Sequence, residues 1–200
     1  GTDEWKELVV AHNPVHYIPA GKQFLQHLRR WRSELGSSIV ANNPSIDETE
    51  LNDIVQLIIN RFLFIRMCED RGLELEEELR NAAANDVVSV GDLFAKMDRR
   101  YNTGLFKQSS QKTNPLSVVE GSTLLQIIDR LYAPASPFSY AVLDADFLGL
   151  VYEQSLSEVL CITESSAQGK MVSLQLKSEF AHRDVVTTPQ FLVTSVIEKT

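Results

Sequence analysis

One apolar run, residues 51–68, constrains the fold of this chain more than any other feature of its sequence. Its apolar side chains recur at steps of three and four, and further apolar residues fill the remaining sides of the helix that this spacing predicts. Between residues 57 and 68 only Asn60, Arg61 and Arg66 are polar. A helix that is apolar nearly all round is a buried one. The sequence therefore predicts a central helix at about residues 47–71, with the other segments packed around it.

Local signals mark both ends of this central helix. At its start, Asp47 stands three residues before Glu50, which is the spacing of a capping box. Ser45 and Glu48 offer the same spacing, so the sequence leaves two candidate caps. At its end, Gly72 is the residue type that terminates a helix with a left-handed backbone.

Two kinds of side chain inside the central helix require an explanation. A guanidinium is rarely buried without a partner, so we expect Arg66 to be buried and paired with Asp70, four residues later. Cys68 lies in the apolar run and is predicted to be a small buried thiol. Cys161 is far from it in sequence, and we predict no disulfide.

Helical spacing also marks segments on either side of the central helix. It predicts helices at residues 24–39, 74–84, 90–100 and 123–132, a further helix after Asp144, and another at residues 188–199. Residues 107–114 have no apolar side chain to anchor them and are predicted to form a loop.

The helical period changes near the end of the chain. Two short runs rich in β-forming residues, 159–163 and 171–176, flank a polar segment with Gly169, which predicts a hairpin. A chain of 200 residues, 44% of them hydrophobic, suits one globular domain. The predicted fold class is mainly α: an irregular helical bundle around the central helix, with a small β-hairpin near residues 159–177.

The charge distribution argues against a DNA-binding domain that works alone. The net charge is −8, and residues 45–100 carry thirteen acidic and seven basic side chains. Because neutralisation of phosphates by Lys and Arg drives non-specific binding, we expect duplex DNA to be bound only weakly. The candidate contact is an acid-free run at the start of the first long helix: Lys22, His27, Arg29, Arg30, Trp31 and Arg32. A solvated helix face explains the same run, so both interpretations stay open.

The sequence contains few patterns typical of catalytic sites. The sequence has no glycine-rich phosphate loop, no nucleophile elbow and no pair of histidines at metal-binding spacing. Gln175 and Lys177 resemble the acid-x-Lys element of metal-dependent nucleases with Gln in place of the acid, and so short a match has a high false-positive rate. Asp144 and Asp146 could form a carboxylate pair, but helix capping accounts for them more economically. We predict no catalytic residue and no metal site.

Nothing in the sequence predicts a membrane location. Residues 57–68 form the longest strongly apolar stretch, and this is shorter than the ~20 residues that a bilayer requires. Residues 1–5 lack the basic start and the apolar core of a secretory signal, and the missing initiator Met suggests a trimmed chain. We therefore expect a cytoplasmic fragment.

Four strings follow one another along the chain: residues 51–72 of the central helix, 101–106 (Tyr-Asn-Thr-Gly-Leu-Phe), 131–138, and 148–156 (Leu-Gly-Leu-Val-Tyr-Glu-Gln-Ser-Leu). In this order they resemble the helical region that precedes the catalytic domain of type II restriction–modification adenine-specific DNA methyltransferases. The resemblance covers roughly residues 45–200. Its specificity lies in the order of the four strings, since none of them would suffice alone.

The resemblance also implies where a cofactor pocket would begin. In the family, the hairpin is followed by a basic segment and a Gly-x-Tyr-Tyr-Thr-Pro motif that borders the S-adenosylmethionine pocket. Residues 184–189 keep Thr188 and Pro189 but lack the glycine and both tyrosines. The resemblance thus implies S-adenosylmethionine in the parent protein, with Thr188 and Pro189 at the pocket edge, and no cofactor for the fragment itself. An ordinary helix start explains the same two residues.

The family's cofactor loop and its Asn-Pro-Pro-Tyr-type loop do not occur in residues 1–200. The resemblance therefore implies a connector that does not methylate alone. Its implied partners are DNA, through the parent protein, and the remaining methyltransferase and possible nuclease domains of that parent. Three parts are expected: a helical lead-in (1–44), a helical connector core (45–158), and a hairpin with the start of a methyltransferase domain (159–200). The alternative is a stand-alone helical protein-interaction module of a DNA-defence or mobile-element system.

Overall fold

A computed structural model of the chain describes residues 14–107, 114–142, 157–165 and 169–177. These residues form five α-helices and one antiparallel hairpin: α1 (Pro14–Asn42), α2 (Glu48–Asp70), α3 (Glu78–Asn85), α4 (Val87–Tyr101), α5 (Gly121–Asp129), β1 (Glu158–Ser165) and β2 (Gly169–Leu176). Two 3-10 helices lie at Pro115–Ser117 and Tyr140–Val142. The predicted mainly α class with a hairpin near residues 159–177 is confirmed.

The predicted central helix is α2. Leu51, Ile58 and Ile65 on this helix are 0% exposed, because the other described elements surround it. Of the two candidate caps, the structure uses Asp47, whose carboxylate accepts a 2.8 Å hydrogen bond from the backbone N–H of Glu50. This bond satisfies one of the N–H groups that the first turn of a helix leaves unpaired.

Helix α1 contributes a second apolar stripe to the core. Its buried side chains are those whose spacing predicted the helix: Phe24, Leu28, Trp31, Leu35 and Ile39. The helix ends at Asn42, within one residue of the expected stop, and it begins at Pro14, well before the first residue of the stripe. The Phe24 ring meets the ring of Phe138 edge-on at 5.1 Å, so the segment after α5 returns to α1.

The shorter helices occupy the predicted segments, with different ends. Helix α4 begins before the predicted start because Asp86 caps it, accepting a 2.7 Å hydrogen bond from the N–H of Ser89. Helix α3 begins at Glu78 rather than Glu74, because Glu77 has a left-handed φ of 56° that interrupts the helix. Helix α5 starts at Gly121 and ends at Asp129, and the remaining predicted helical residues form turns.

Some predictions concern residues that the structure does not describe. The predicted helix after Asp144, the predicted helix at 188–199 and most of the predicted loop at 107–114 lie outside the described ranges. None of the described helices is both long enough and apolar enough to cross a membrane.

The hairpin presents one face to the helices. β1 and β2 pair in register from Glu158 opposite Leu176 to Ser165 opposite Gly169. Because side chains alternate along a strand, Leu160 shares a face with Val172 and with Leu174. Leu160 is 0% exposed, and Val172 and Leu174 are partly buried against the helical core. The hairpin is therefore part of the core.

Candidate connector interface

The hairpin lies directly on α1, and a glycine permits the close approach. A Cβ atom at Gly36 would stand 3.1 Å from Leu160 Cδ1 and 3.1 Å from Val172 Cγ1. Such distances are tighter than most real Cβ contacts, so any side chain at this position would press on both strands. The absence of a side chain at Gly36 thus sets how closely α1 and the hairpin pack.

The outer edge of β1 is closed by side chains of α2. The Asn52 carboxamide accepts a 2.9 Å hydrogen bond from the N–H of Leu160 and donates one of 2.9 Å to the C=O of the same residue. The Glu48 carboxylate accepts a 2.7 Å hydrogen bond from the N–H of Ile162. A neighbouring strand would make the same kind of bonds. These side chains therefore satisfy the edge and fix the position of β1 along α2.

Two arginines of α1 hold the first residue of β1. Arg32 is 4% exposed, and its Nη2 donates a 2.9 Å hydrogen bond to the C=O of Glu158. Arg29 forms a 2.7 Å salt bridge with the carboxylate of Glu158. Burial lowers the pKa of the Arg32 guanidinium, although the nearby charge of Glu158 opposes this shift. The backbone and the side chain of Glu158 are thus both tied to α1.

The basic run in the middle of α1 is largely engaged within the chain. Besides Arg29 and Arg32, Arg30 forms a 2.9 Å salt bridge with Glu34, which also binds Arg130. Burial raises the pKa of Glu34, but hydrogen bonds and charges from the two arginines outweigh it, so the net shift is downward. These ion pairs neutralise part of the positive charge that contact with DNA would require.

Arg66 of α2 is buried and paired, as predicted. It is 6% exposed and forms salt bridges with Asp70 and with Glu69. Its Nε also donates a 3.2 Å hydrogen bond to the C=O of Leu131, and its guanidinium carbon lies 4.0 Å from the ring centroid of Tyr132. Burial disfavours the charged form, but the acidic partners outweigh burial and raise the pKa of Arg66.

Glu69 is the partner that sequence reasoning missed. Its side chain is 0% exposed, and it accepts 2.8 Å hydrogen bonds from the N–H of Leu79 and from the hydroxyl of Tyr132. These bonds join α3 and the segment after α5 to the central helix. The spacing of three residues from Arg66 was a signal that could have identified it. Burial, followed by the charge of Glu69, raises the pKa of Tyr132.

The second buried arginine of α2 binds backbone carbonyls. Arg61 is 2% exposed, and it donates hydrogen bonds of 2.9 Å to the C=O of Leu105 and 3.3 Å to the C=O of Lys107. Its guanidinium carbon lies 5.1 Å from the ring centroid of Phe94 and 5.8 Å from that of Phe106. Arg61 thus holds the segment after α4 against α2.

A third polar cluster forms around Glu74, between α2 and α3. Its side chain is 1% exposed and accepts a 2.7 Å hydrogen bond from the hydroxyl of Tyr101. Lys96 lies at 3.0 Å and Arg100 at 3.1 Å from the same carboxylate. Burial raises the pKa of Glu74, but the bonds from Tyr101 and Lys96 and the charges of Lys96 and Arg100 lower it by more. Each of these clusters therefore joins segments that are separate in sequence.

A curated protein of Escherichia coli matches nearly the whole chain. The match, to "Type II restriction enzyme and methyltransferase RM.Eco57I", is 36% identical over 199 residues, which is 99% of this chain. The chain is homologous to a region of this enzyme. It spans 19% of the length of that relative. The resemblance to part of a type II restriction–modification methyltransferase is thereby confirmed. No protein-family model and no solved structure matches the chain significantly.

The homologous region includes residues that the sequence marked as candidate sites. Thr188 and Pro189 lie outside the described residues, as do Asp144 and Asp146, so their roles stay predictions. Gln175 is exposed on β2, where its Nε2 donates a 3.3 Å hydrogen bond to Ser173 Oγ. Across residues 14–107, 114–142, 157–165 and 169–177, no group of three or more His, Cys, Asp or Glu side chains could hold a metal ion.

Proposed function

We propose that this chain is the helical connector of a restriction–modification adenine-specific DNA methyltransferase, and that it is not catalytic alone. The observation that carries the proposal is the homology, over 199 residues, to a region of a type II restriction enzyme and methyltransferase. A connector must hold its two ends in a defined geometry. The partly buried hydrogen bonds of Arg32 and Asn52 with β1 would supply that property.

The proposal divides the chain into three parts. Residues 1–44 form a helical lead-in, residues 45–158 the connector core, and residues 159–200 the hairpin and the start of the methyltransferase domain. DNA, the rest of the methyltransferase and any fused nuclease are partners through the parent protein. S-adenosylmethionine is a cofactor of the parent, and Thr188 and Pro189 border its pocket.

The coding sequence after Thr200 tests this function at little cost. A continuing reading frame that encodes an Asp-Pro-x-x-Gly-x-Gly-like loop and an Asn-Pro-Pro-Tyr-like loop supports the connector. A stop codon at that point in the gene would favour the stand-alone protein-interaction module instead.

A second test weakens the contact between the hairpin and α2 in the longer protein, which is this chain together with the methyltransferase domain. Asn52→Leu keeps the approximate size of the side chain but removes both hydrogen bonds to Leu160. If the connector positions the methyltransferase, adenine methylation of duplex DNA should fall by up to about 100-fold, because small misplacements of catalytic groups are costly. Asn81→Leu, at an exposed position of α3, is the matched control and should retain the rate. Full methylation by a protein whose hairpin amides exchange faster would contradict the proposal.

The cofactor edge has its own test. Calorimetry should detect no binding of S-adenosylmethionine to the isolated chain, which lacks the family's glycine and tyrosines beside Thr188. In the longer protein, Thr188→Ala should weaken cofactor binding without lowering the melting temperature. The opposite result, a lower melting temperature with unchanged affinity, would assign Thr188 to helix capping.

A further inference from the structure

The two edges of the hairpin differ in how their backbone groups are satisfied. On β1 the backbone N–H and C=O groups of the even-numbered residues point away from β2. Side chains of Arg32, Asn52 and Glu48 form hydrogen bonds with these groups. The register of the hairpin shows that the backbone N–H and C=O groups of the even-numbered residues of β2 likewise point away from β1. These residues are Lys170, Val172, Leu174 and Leu176. Among the described residues, none forms a hydrogen bond with their backbone N–H or C=O groups.

This edge of β2, which no other described residue pairs with, has few of the features that protect edges from pairing. The strand runs for eight paired residues without a bulge or a proline, and Lys170 is its one charged residue. Met171 is 48% exposed and Leu176 is 63% exposed. An alternating row of N–H and C=O groups on a long, weakly charged strand is the surface to which an extended backbone adds.

We propose that β2 pairs antiparallel with β2 of a second copy of this chain, which forms a four-stranded sheet about a two-fold axis. Residues whose backbone groups point outward must lie opposite each other, because only these groups can form hydrogen bonds between the two strands. The register that uses the whole edge is centred on Ser173. It places Lys170 opposite Leu176 of the other copy and Val172 opposite Leu174, so that no like charges meet. This self-complementarity favours a second copy over an unrelated strand.

Substitutions of opposite charge at Leu176 test both the dimer and its register. Position 176 is exposed, so neither charge is buried in the monomer, and in the dimer it lies opposite Lys170 twice by symmetry. Sedimentation equilibrium of the full 200-residue chain should show a dimer whose dissociation constant rises roughly 2- to 30-fold for Leu176→Lys. For Leu176→Glu it should fall by a similar factor.

Within the monomer the same substitutions act in the opposite direction. Residue 176 lies opposite Glu158 in the hairpin, so Glu at this position lowers the melting temperature of the monomer and Lys does not. Tighter dimerisation of Leu176→Glu therefore cannot result from a more stable hairpin. Leu75→Lys and Leu75→Glu, at a position that is 72% exposed and outside the hairpin, should leave the dissociation constant unchanged.

Two results would overturn the proposal. One is a chain that stays monomeric at every concentration reached. The other is a dimer that both charges at position 176 weaken equally, since that pattern indicates apolar association without the proposed register.

Discussion

Replacement of Arg66 should strongly destabilise the chain. Arg66→Met leaves the carboxylate of Glu69 buried at 0% exposure without its cationic partner. The loss of one partner from a buried ion pair costs about 3–5 kcal/mol, so urea denaturation should show a decrease of that size in the free energy of unfolding. Asp70→Ala should cost less, because Asp70 is 20% exposed and Arg66 keeps Glu69.

A surface arginine provides the control for this measurement. Arg30→Met removes a pair in which the arginine side chain is 63% exposed, and it should lower the free energy of unfolding by no more than about 1 kcal/mol. An Arg66→Met protein within the same range would refute the buried pair as a source of stability.

Glu74 should make the stability depend on pH. Its pKa is lowered in the folded chain from an ordinary value of 4.5, so its contribution is fully present above about pH 4.5 and is lost as the pH falls through the folded-state pKa. Denaturation from pH 7 to about pH 3 should show stability falling on the acid side. Glu74→Gln should be less stable at pH 7, and its free energy of unfolding should fall less steeply as the pH is lowered (a shallower acid slope).

The exposed neighbour Glu76 supplies the matched variant. Glu76→Gln removes one carboxylate from the same segment, but its side chain is exposed, and the acid slope should stay close to that of the unaltered chain. Equal slopes for Glu74→Gln and the unaltered chain would exclude Glu74 as a source of the pH dependence.

Two helical glycines should respond differently to substitution by alanine. At Gly91 of α4 a new Cβ would lie 3.8 Å from Leu116 Cδ1, which is ordinary contact, so Gly91→Ala should gain up to about 1 kcal/mol of stability from helix propensity. At Gly36 of α1 the same atom would stand 3.1 Å from both strands of the hairpin. We expect Gly36→Ala to be no more stable than the unaltered chain.

Thermal denaturation of the two alanine variants checks this prediction. Amide exchange at Leu160 adds a local measurement, because pressure on the hairpin should increase exchange there for Gly36→Ala alone. Equal stabilisation of both variants would mean that the hairpin shifts without any loss of stability. Gly36 would then not control the packing of the hairpin on α1.

The helices themselves were predictable because hydrophobic periodicity is a local property of the sequence. The start of α3 was not, because the residues from Glu74 onward have acceptable helical character. What prevents a helix there is the burial of Glu74 against Lys96 and Tyr101, together with the left-handed backbone of Glu77. Those contacts come from α4, which follows later in the chain.

For the whole molecule, we expect weak and sequence-independent binding to DNA. With a net charge of −8 and arginines engaged in internal pairs, the isolated chain should bind short duplexes with a Kd no tighter than roughly 10⁻⁵ M at physiological salt. Arg29→Gln combined with Arg30→Gln should abolish what binding exists. Arg32 is buried against Glu158, so its replacement would test stability instead.

Fluorescence anisotropy with labelled duplexes measures this affinity. Arg99→Gln, at an exposed position of α4, measures the effect of losing one positive charge elsewhere, and the double variant should weaken binding by more than twice that free energy. Tight binding to one particular sequence by the isolated chain would contradict the connector and indicate a domain that reads DNA.

The fold class, the central helix and the buried pairing of Arg66 with Asp70 could all be predicted from the sequence. Apolar spacing, capping residues and a partner four positions away are all local, so the chain carries these signals wherever it folds. The side chains that close the edge of β1 could not be predicted in this way. Asn52 and Leu160 are 108 positions apart, and Arg32 and Glu158 are 126 apart. Spacing along one sequence contains no information about such pairs, because packing of the helices is what brings them together.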